Sequence, residues 1–138
     1  MSTTTAPSCS PPALPAEHAA TQQVADRLVA LLAAGKNLDA ISDLSADAAR
    51  HVEVMDAPWC PRITQGKAEQ FARDTEIHSA TCGKPIVNGD QFVCTMGLDC
   101  TSRQGPMAGQ RMNISETALY TVRNGKITEA KFFYCCGM

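Results

Sequence analysis

Three acids and one histidine have side chains suited to proton transfer, namely Glu53, Asp56, His78 and Glu116. Glu116 interrupts an apolar alternation formed by Met112, Ile114, Ala118, Tyr120 and Val122. A carboxylate that loses water on such a strand face holds its proton more tightly, and it can then act as an acid or base near neutral pH. The alternative is a strand that bulges or ends early, which would leave Glu116 in solvent.

The segment around Glu53 alternates polar and apolar side chains, with His51, Glu53 and Met55 against Val52 and Val54. The polar set faces either solvent or a polar pocket, and the sequence does not choose between them. Asp56 follows, two residues before Pro58. His78 ends a helix predicted over about residues 67–78, where it can pair with Glu53 or Asp56 or interact with the helix dipole.

The elements that must position these groups begin, in chain order, with two predicted helices. Apolar residues recur at i, i+4, i+7 and i+8 from Val24 to Leu32, which predicts a helix over about residues 18–34. Gly35 supplies the left-handed stop. Asn37 can cap a second, shorter helix whose apolar residues recur every three positions. A strand over about residues 50–55, a loop and the third helix follow.

After the third helix the hydrophobic period changes to two, which predicts strands to the end of the chain. Asn88-Gly89 and Asn124-Gly125 each separate two such strands. Asn-Gly is a strong hairpin signal, because both central residues of the turn need φ > 0. Helices followed by a strand meander predict an α+β fold, in which a curved antiparallel sheet is closed by the helices.

The chain has 138 residues, a length that predicts one domain over residues 18–138. Residues 1–17 are rich in Ser, Thr, Ala and Pro, and we expect a disordered tail. The 12 basic and 14 acidic residues nearly cancel and form no basic stripe, which argues against a nucleic-acid partner. The longest apolar stretch is shorter than the roughly 20 residues of a membrane-spanning helix, and no secretory signal opens the chain. We therefore expect a cytoplasmic protein without a membrane partner.

Seven cysteines are present, without C-x-x-C spacing and without a histidine at zinc spacing. An odd number without a signal peptide predicts free thiols and no metal. Cys94 and Cys100 fall on one strand face, where cysteine behaves as a small hydrophobe. Cys135 and Cys136 are adjacent, but no basic residue flanks them closely enough to single out a thiolate.

A family resemblance rests on three segments: the helical hairpin around Gly35, residues 52–66, and the hairpin 119–127 with the following residues 131–134. They resemble the nuclear transport factor 2-like superfamily, in particular its SnoaL-like and ketosteroid-isomerase-like branch. The resemblance implies a cone-shaped α+β barrel, often dimeric, around a pocket, with Asp56 as general base. It fails at Leu28, where the isomerases have a tyrosine, and Glu116 does not fall on their second oxyanion acid. Steroid isomerisation is therefore not expected.

These residues and the resemblance together predict a cofactor-free enzyme that isomerises, dehydrates or cyclises a small organic metabolite. Its acid-base groups would be Glu116, Asp56, Glu53 and His78. The residues predicted to line the substrate pocket are Trp59, Tyr120, Tyr134 and Met112. The alternative is a non-catalytic ligand-binding or dimeric interaction module of the same fold.

Two further hypotheses concern metal and assembly. A metal site built from His51, Glu53 and His78 lacks a recognisable ligand motif, so we expect none. A homodimer is expected because the alternation of Phe92, Cys94, Met96 and Leu98 would leave an apolar sheet face exposed, unless helices cover that face.

Overall fold

The computed structural model describes residues 16–53 and 73–134. Residues 1–15 of the predicted tail, and the loop that carries Asp56 and Trp59, lie outside the described residues, whereas Glu17 is already part of the first helix. The helices are α1 (Glu17–Ala33) and α2 (Asn37–Leu44). The strands are β1 (Ser45–Glu53), β2 (Thr75–Cys82), β3 (Ile86–Asn88), β4 (Gln91–Ser102), β5 (Arg111–Arg123) and β6 (Lys126–Tyr134). The predicted helical hairpin is thus confirmed.

Gly35 ends α1 as predicted, with φ of 73°. The amide of Gly35 donates to the carbonyl of Leu32, and the amide of Lys36 donates to the carbonyl of Leu31. This pair of bonds is a Schellman motif, which satisfies the last carbonyls of the helix. It turns the chain directly into α2.

The strands form one sheet in the order β1-β6-β5-β4-β2, with β3 paired to β4 beyond the end of β2. All pairs are antiparallel except β1 with β6, which is parallel. The predicted α+β class is confirmed, although the sheet is mixed and its described strands do not close into a barrel. The sheet is mixed because β1, at one edge of the sheet, runs parallel to the last strand, β6.

The helix predicted to run to residue 78 is wrong over its last four residues, because β2 begins at Thr75. This segment carries the β-branched residues Thr75, Ile77 and Thr81, which favour strand over helix. His78 is therefore a strand residue.

Both predicted hairpins are present, but their turns differ. Asn124 and Gly125 both have positive φ, 52° and 73°, as the sequence predicts. In the other hairpin Asn88 still pairs with Gln91 at the end of the ladder, so the turn residues are Gly89 and Asp90. Only Gly89 of that turn has positive φ, 62°.

The sheet has an inner face, which the helices cover, and an outer face, which they do not. The inner face of β4 and β5 consists of their even-numbered residues, and these form the core with Val24, Leu28 and Leu44. Phe92 and Cys94 are each 1% exposed. The expectation that this face is bare is therefore wrong, because helices cover it. No helix in the described residues is long and apolar enough to cross a membrane.

Candidate functional site

Glu116 lies on the inner face, as its place in the apolar alternation predicts. In the ladders it is opposite Met96 of β4 and Tyr134 of β6, and its side chain is half-buried. Burial raises the pKa of Tyr120 and Cys94, and the negative charge of Glu116 raises both further. Glu116 therefore brings an acid to an otherwise apolar surface.

His51 occupies the inner face of β1, where it is opposite Ala130 of β6. Its Nε2 atom is buried and has no hydrogen-bond partner among the described residues. Burial lowers the pKa of His51 from its usual 6.5, so the imidazole is neutral at pH 7. A neutral ring with an unpartnered nitrogen can accept or donate a hydrogen bond to a bound molecule.

An aromatic row, formed by His51, Phe132, Tyr120 and Phe92, crosses the inner face from β1 to β4. The ring centroids of His51 and Phe132 are 5.8 Å apart, and those of Phe132 and Tyr120 are 6.2 Å apart at an edge-to-face angle of 85°. Tyr120 stacks on Phe92 at 4.7 Å. The row forms an apolar floor on this side of the sheet, in which Phe92 and Tyr120 are covered by the helices and the half-buried His51 and Phe132 are the rings that a bound molecule could contact.

The other predicted pocket residues have different positions. Met112 is half-buried on the inner face, opposite Cys100. Tyr120 is only 5% exposed, so its ring belongs to the floor and the core. In backbone register Glu53 is opposite Phe132, and Tyr134 is opposite Glu116. Asp56 and Trp59 lie outside the described residues.

His78 is not near the inner-face groups. It is the extra residue at a bulge in β2, between the pairs Ile77 with Cys100 and Ser79 with Asp99. Its Nε2 is 2.7 Å from Oγ1 of Thr101 on the outer face. β1 and β2 are the two ends of the strand order. His78 thus contacts Thr101, and its predicted pairing with Glu53 or Asp56 stays a prediction, since Asp56 and the Glu53 side chain lie outside what the structure describes.

From the sequence, His51 is predicted only as part of a polar strand face and of a metal hypothesis, without a catalytic or binding role of its own. The signal was available, since His51 shares a strand face with Glu53, but the sequence could not say which face of β1 is buried. No group of three or more His, Cys, Asp or Glu residues able to hold a metal ion is present in the described parts of the chain. His51 and His78 in particular lie on different edge strands.

A separate open groove of about 410 Å³ lies at the α1-α2 turn. It is lined by Gly35, Lys36, Asn37, Leu38, Asp39, Thr75 and Ile77. Neither Glu116 nor His51 lines this groove. We therefore place the candidate site on the inner face, where an acid and a desolvated imidazole accompany an aromatic floor.

The burial of His51 predicts a pH-dependent stability. The unfolded chain binds a proton to this imidazole near pH 6.5, whereas the folded chain binds it only at lower pH. Stability that is present above pH 6.5 is therefore lost as the pH falls. We expect the melting temperature of the native protein to drop more between pH 7.5 and 5.5 than that of a His51→Gln variant. Equal drops would show that His51 is protonated as easily in the fold as in the unfolded chain.

Comparison with known proteins agrees with this geometry. Residues 19–134 match the SnoaL-like domain family. A protein of known structure from Mesorhizobium loti, described as a candidate SnoaL-like polyketide cyclase and carbohydrate phosphatase, is 33% identical. The match covers 81% of this chain and 97% of that one, with a TM-score of 0.68. No curated protein matches the chain.

More distant structures share the fold. A candidate SnoaL-like polyketide cyclase from Jannaschia sp. CCS1 is 16% identical with a TM-score of 0.59, over 85% of this chain and 86% of that one. AclR from Streptomyces galilaeus, described as a candidate hydroxylase, is 12% identical with a TM-score of 0.64, over 87% and 78%. These distant likenesses show the fold alone. The family match and the Mesorhizobium structure identify it as an α+β cone fold of the nuclear transport factor 2-like superfamily.

Proposed function

Because the chain belongs to the SnoaL-like domain family, we propose that it is a cofactor-free enzyme that moves a proton on a small organic metabolite bound at the inner face. Glu116 is the proton acceptor or donor. The observation that carries the proposal is the position of this carboxylate on an apolar sheet face, where its charge acts on buried groups. A carboxylate within reach of a bound substrate can take up a proton and return it.

The chemistry that fits is removal of a proton from a carbon next to a carbonyl group. This step underlies isomerisation, dehydration and aldol-type cyclisation, and a single carboxylate can perform it. The names of the Mesorhizobium and Jannaschia proteins point to polyketides, which are rich in such carbons. The aromatic row would hold the planar part of the substrate and keep water from the carboxylate.

His51 has a positioning role in this proposal. Tyr120 lies in the same ladder row as His51. Glu116 is four positions from Tyr120 on β5, which is roughly 13 Å along the strand. Two groups so far apart do not act on one carbon. His51 therefore binds a polar group at the far end of an elongated substrate. Asp56, and with it the general-base role implied by the resemblance, stays a prediction.

Hydrogen-deuterium exchange tests the function before the natural substrate is identified. Linear and cyclic 1,3-dicarbonyl compounds of one to three rings are incubated with the protein in D₂O, and loss of the carbon-bound proton signal is followed by NMR. We expect saturable, protein-dependent exchange for at least one elongated member. Binding of the panel without any exchange above the buffer rate would favour the non-catalytic ligand-binding module.

We also propose a homodimer, formed through the outer face. Phe133 is 44% exposed there, and the half-buried pair Val93 and Leu119 lies on the same face. We expect light scattering to give twice the chain mass at micromolar concentration, and Phe133→Arg to give the monomer mass. Leu38→Arg is the matched control, because Leu38 is 40% exposed but lies in α2, on the other side of the sheet. A monomeric native protein would contradict the proposal.

A further inference from the structure

Two cysteines from different strands meet on the inner face. Cys82 ends β2 opposite Met96 of β4, and Cys94 lies two residues before Met96 on the same face, so the two thiols are diagonal neighbours across the ladder. Both are free thiols. Cys94 is buried, whereas Cys82 is partly exposed and so reachable from outside. Cys94 follows Cys82 by twelve positions in the sequence, so no C-x-x-C pattern could predict the pair.

A third sulfur belongs to the same place. Met96 is directly opposite Cys82 in the β2-β4 ladder and lies two residues after Cys94 on the same face. The Tyr120 hydroxyl is 4.0 Å from the sulfur of Met96. The same hydroxyl is close enough to Cys82 and Cys94 for their charges to act on it. The three sulfur-bearing side chains therefore lie on one sheet face, near one buried hydroxyl group.

We infer that Cys82, Cys94 and Met96 form a binding site for a soft monovalent metal ion of the Cu(I) class. Thiolate and thioether ligands select such ions over hard cations. A metal-thiolate bond is about 2.3 Å long, so two sulfurs bound to one ion lie up to about 4.6 Å apart. That spacing suits sulfurs at neighbouring positions of one sheet face, where directly facing Cβ atoms are about 4.5–5.5 Å apart. A disulfide would require them to close to about 2.0 Å.

The surroundings favour this ion over zinc. A structural zinc site takes four ligands from Cys, His, Asp and Glu, and the described residues contain no group of even three around one point. Binding of Cu⁺ releases the two thiol protons and leaves a complex with a charge of −1. The apolar floor excludes water from the sulfurs. The site adjoins the proposed proton-transfer site, since Met96 is opposite Glu116 in the β4-β5 ladder, but metal binding is measured without any turnover. The inference departs from the expectation that the cysteines hold no metal.

Anaerobic competition for Cu(I) with the chromogenic chelator bathocuproine disulfonate tests the site in the full chain. Cys9→Ser, Cys60→Ser, Cys135→Ser and Cys136→Ser are combined to remove the other thiols. We expect this background protein to bind one Cu(I) ion. Adding Cys82→Ser should weaken binding at least about 100-fold, because loss of even an outer-shell partner costs 10- to 100-fold. X-ray absorption should show three sulfur neighbours.

Two further variants make the assignment specific. Cys100→Ser is the matched control. Cys100 is also buried on the inner face of β4, but it is opposite Ile77, far along the ladder from Cys82. This variant should bind Cu(I) as the background protein does, and Met96→Leu should lose one sulfur neighbour. No Cu(I) binding by the background protein, or equal losses from Cys82→Ser and Cys100→Ser, would overturn the inference. An unchanged coordination in Met96→Leu would overturn the three-sulfur site. Circular dichroism of each variant confirms that it is folded.

Discussion

Glu116→Gln should lower the rate of protein-catalysed deuterium exchange by about 10²- to 10⁴-fold, the loss typical of removing a general acid or base. The amide keeps the size and shape of the carboxylate, but it cannot take up the proton. Substrate binding rests on the aromatic row and should change much less. The expected signature is therefore a fall in kcat with a nearly constant KM.

Glu129→Gln is the matched control for this measurement. Glu129 lies one strand away on β6, opposite Thr121 on the outer face, and is paired with Lys131 at 3.5 Å. The same chemical change there should leave exchange unaltered. If both variants exchange as the native protein does, Glu116 is not the acid-base group, and the non-catalytic function takes first place.

The position of Glu116 could be predicted from sequence because a strand has a period of two. Once Tyr120 and Val122 are assigned to the core, every even-numbered residue of β5 must share their face. The structure keeps that register without interruption against β4 over all eleven pairs. The same logic correctly places Cys94 and Cys100 in the core. Periodicity thus carried both the fold class and one candidate group.

His78 and His51 show where that logic ends. A short segment with apolar residues three to four apart reads as helix, yet residues 75–82 pair with β4, and a bulge at His78 breaks the period. For His51 the alternation is visible, but the buried face of β1 depends on its parallel pairing with β6, some 80 residues later. Non-local pairing of this kind leaves no local signal in the chain.

The inner face should also dominate stability, and Phe92 is the residue that tests this most directly. Its ring is 1% exposed and stacks on Tyr120 at 4.7 Å, beneath the helices. Phe92→Ala removes the buried ring and leaves a cavity, which typically costs about 3–5 kcal/mol of unfolding free energy. With a urea m-value of about 1–3 kcal/mol/M, the unfolding midpoint should fall by on the order of 2 M.

Ile86→Ala serves as the comparison, because Ile86 is an apolar residue on the neighbouring strand β3 but is 73% exposed. Its substitution should change the unfolding free energy by no more than about 0.5 kcal/mol. Should Phe92→Ala be too unstable to purify, Phe92→Leu keeps most of the volume and should give a smaller loss in the same direction. Equal effects of Phe92→Ala and Ile86→Ala would mean that the aromatic row is not part of the packed core. The floor proposed for the substrate would then lose its rigid support, since a binding surface holds its geometry only when the residues beneath it are locked by packing.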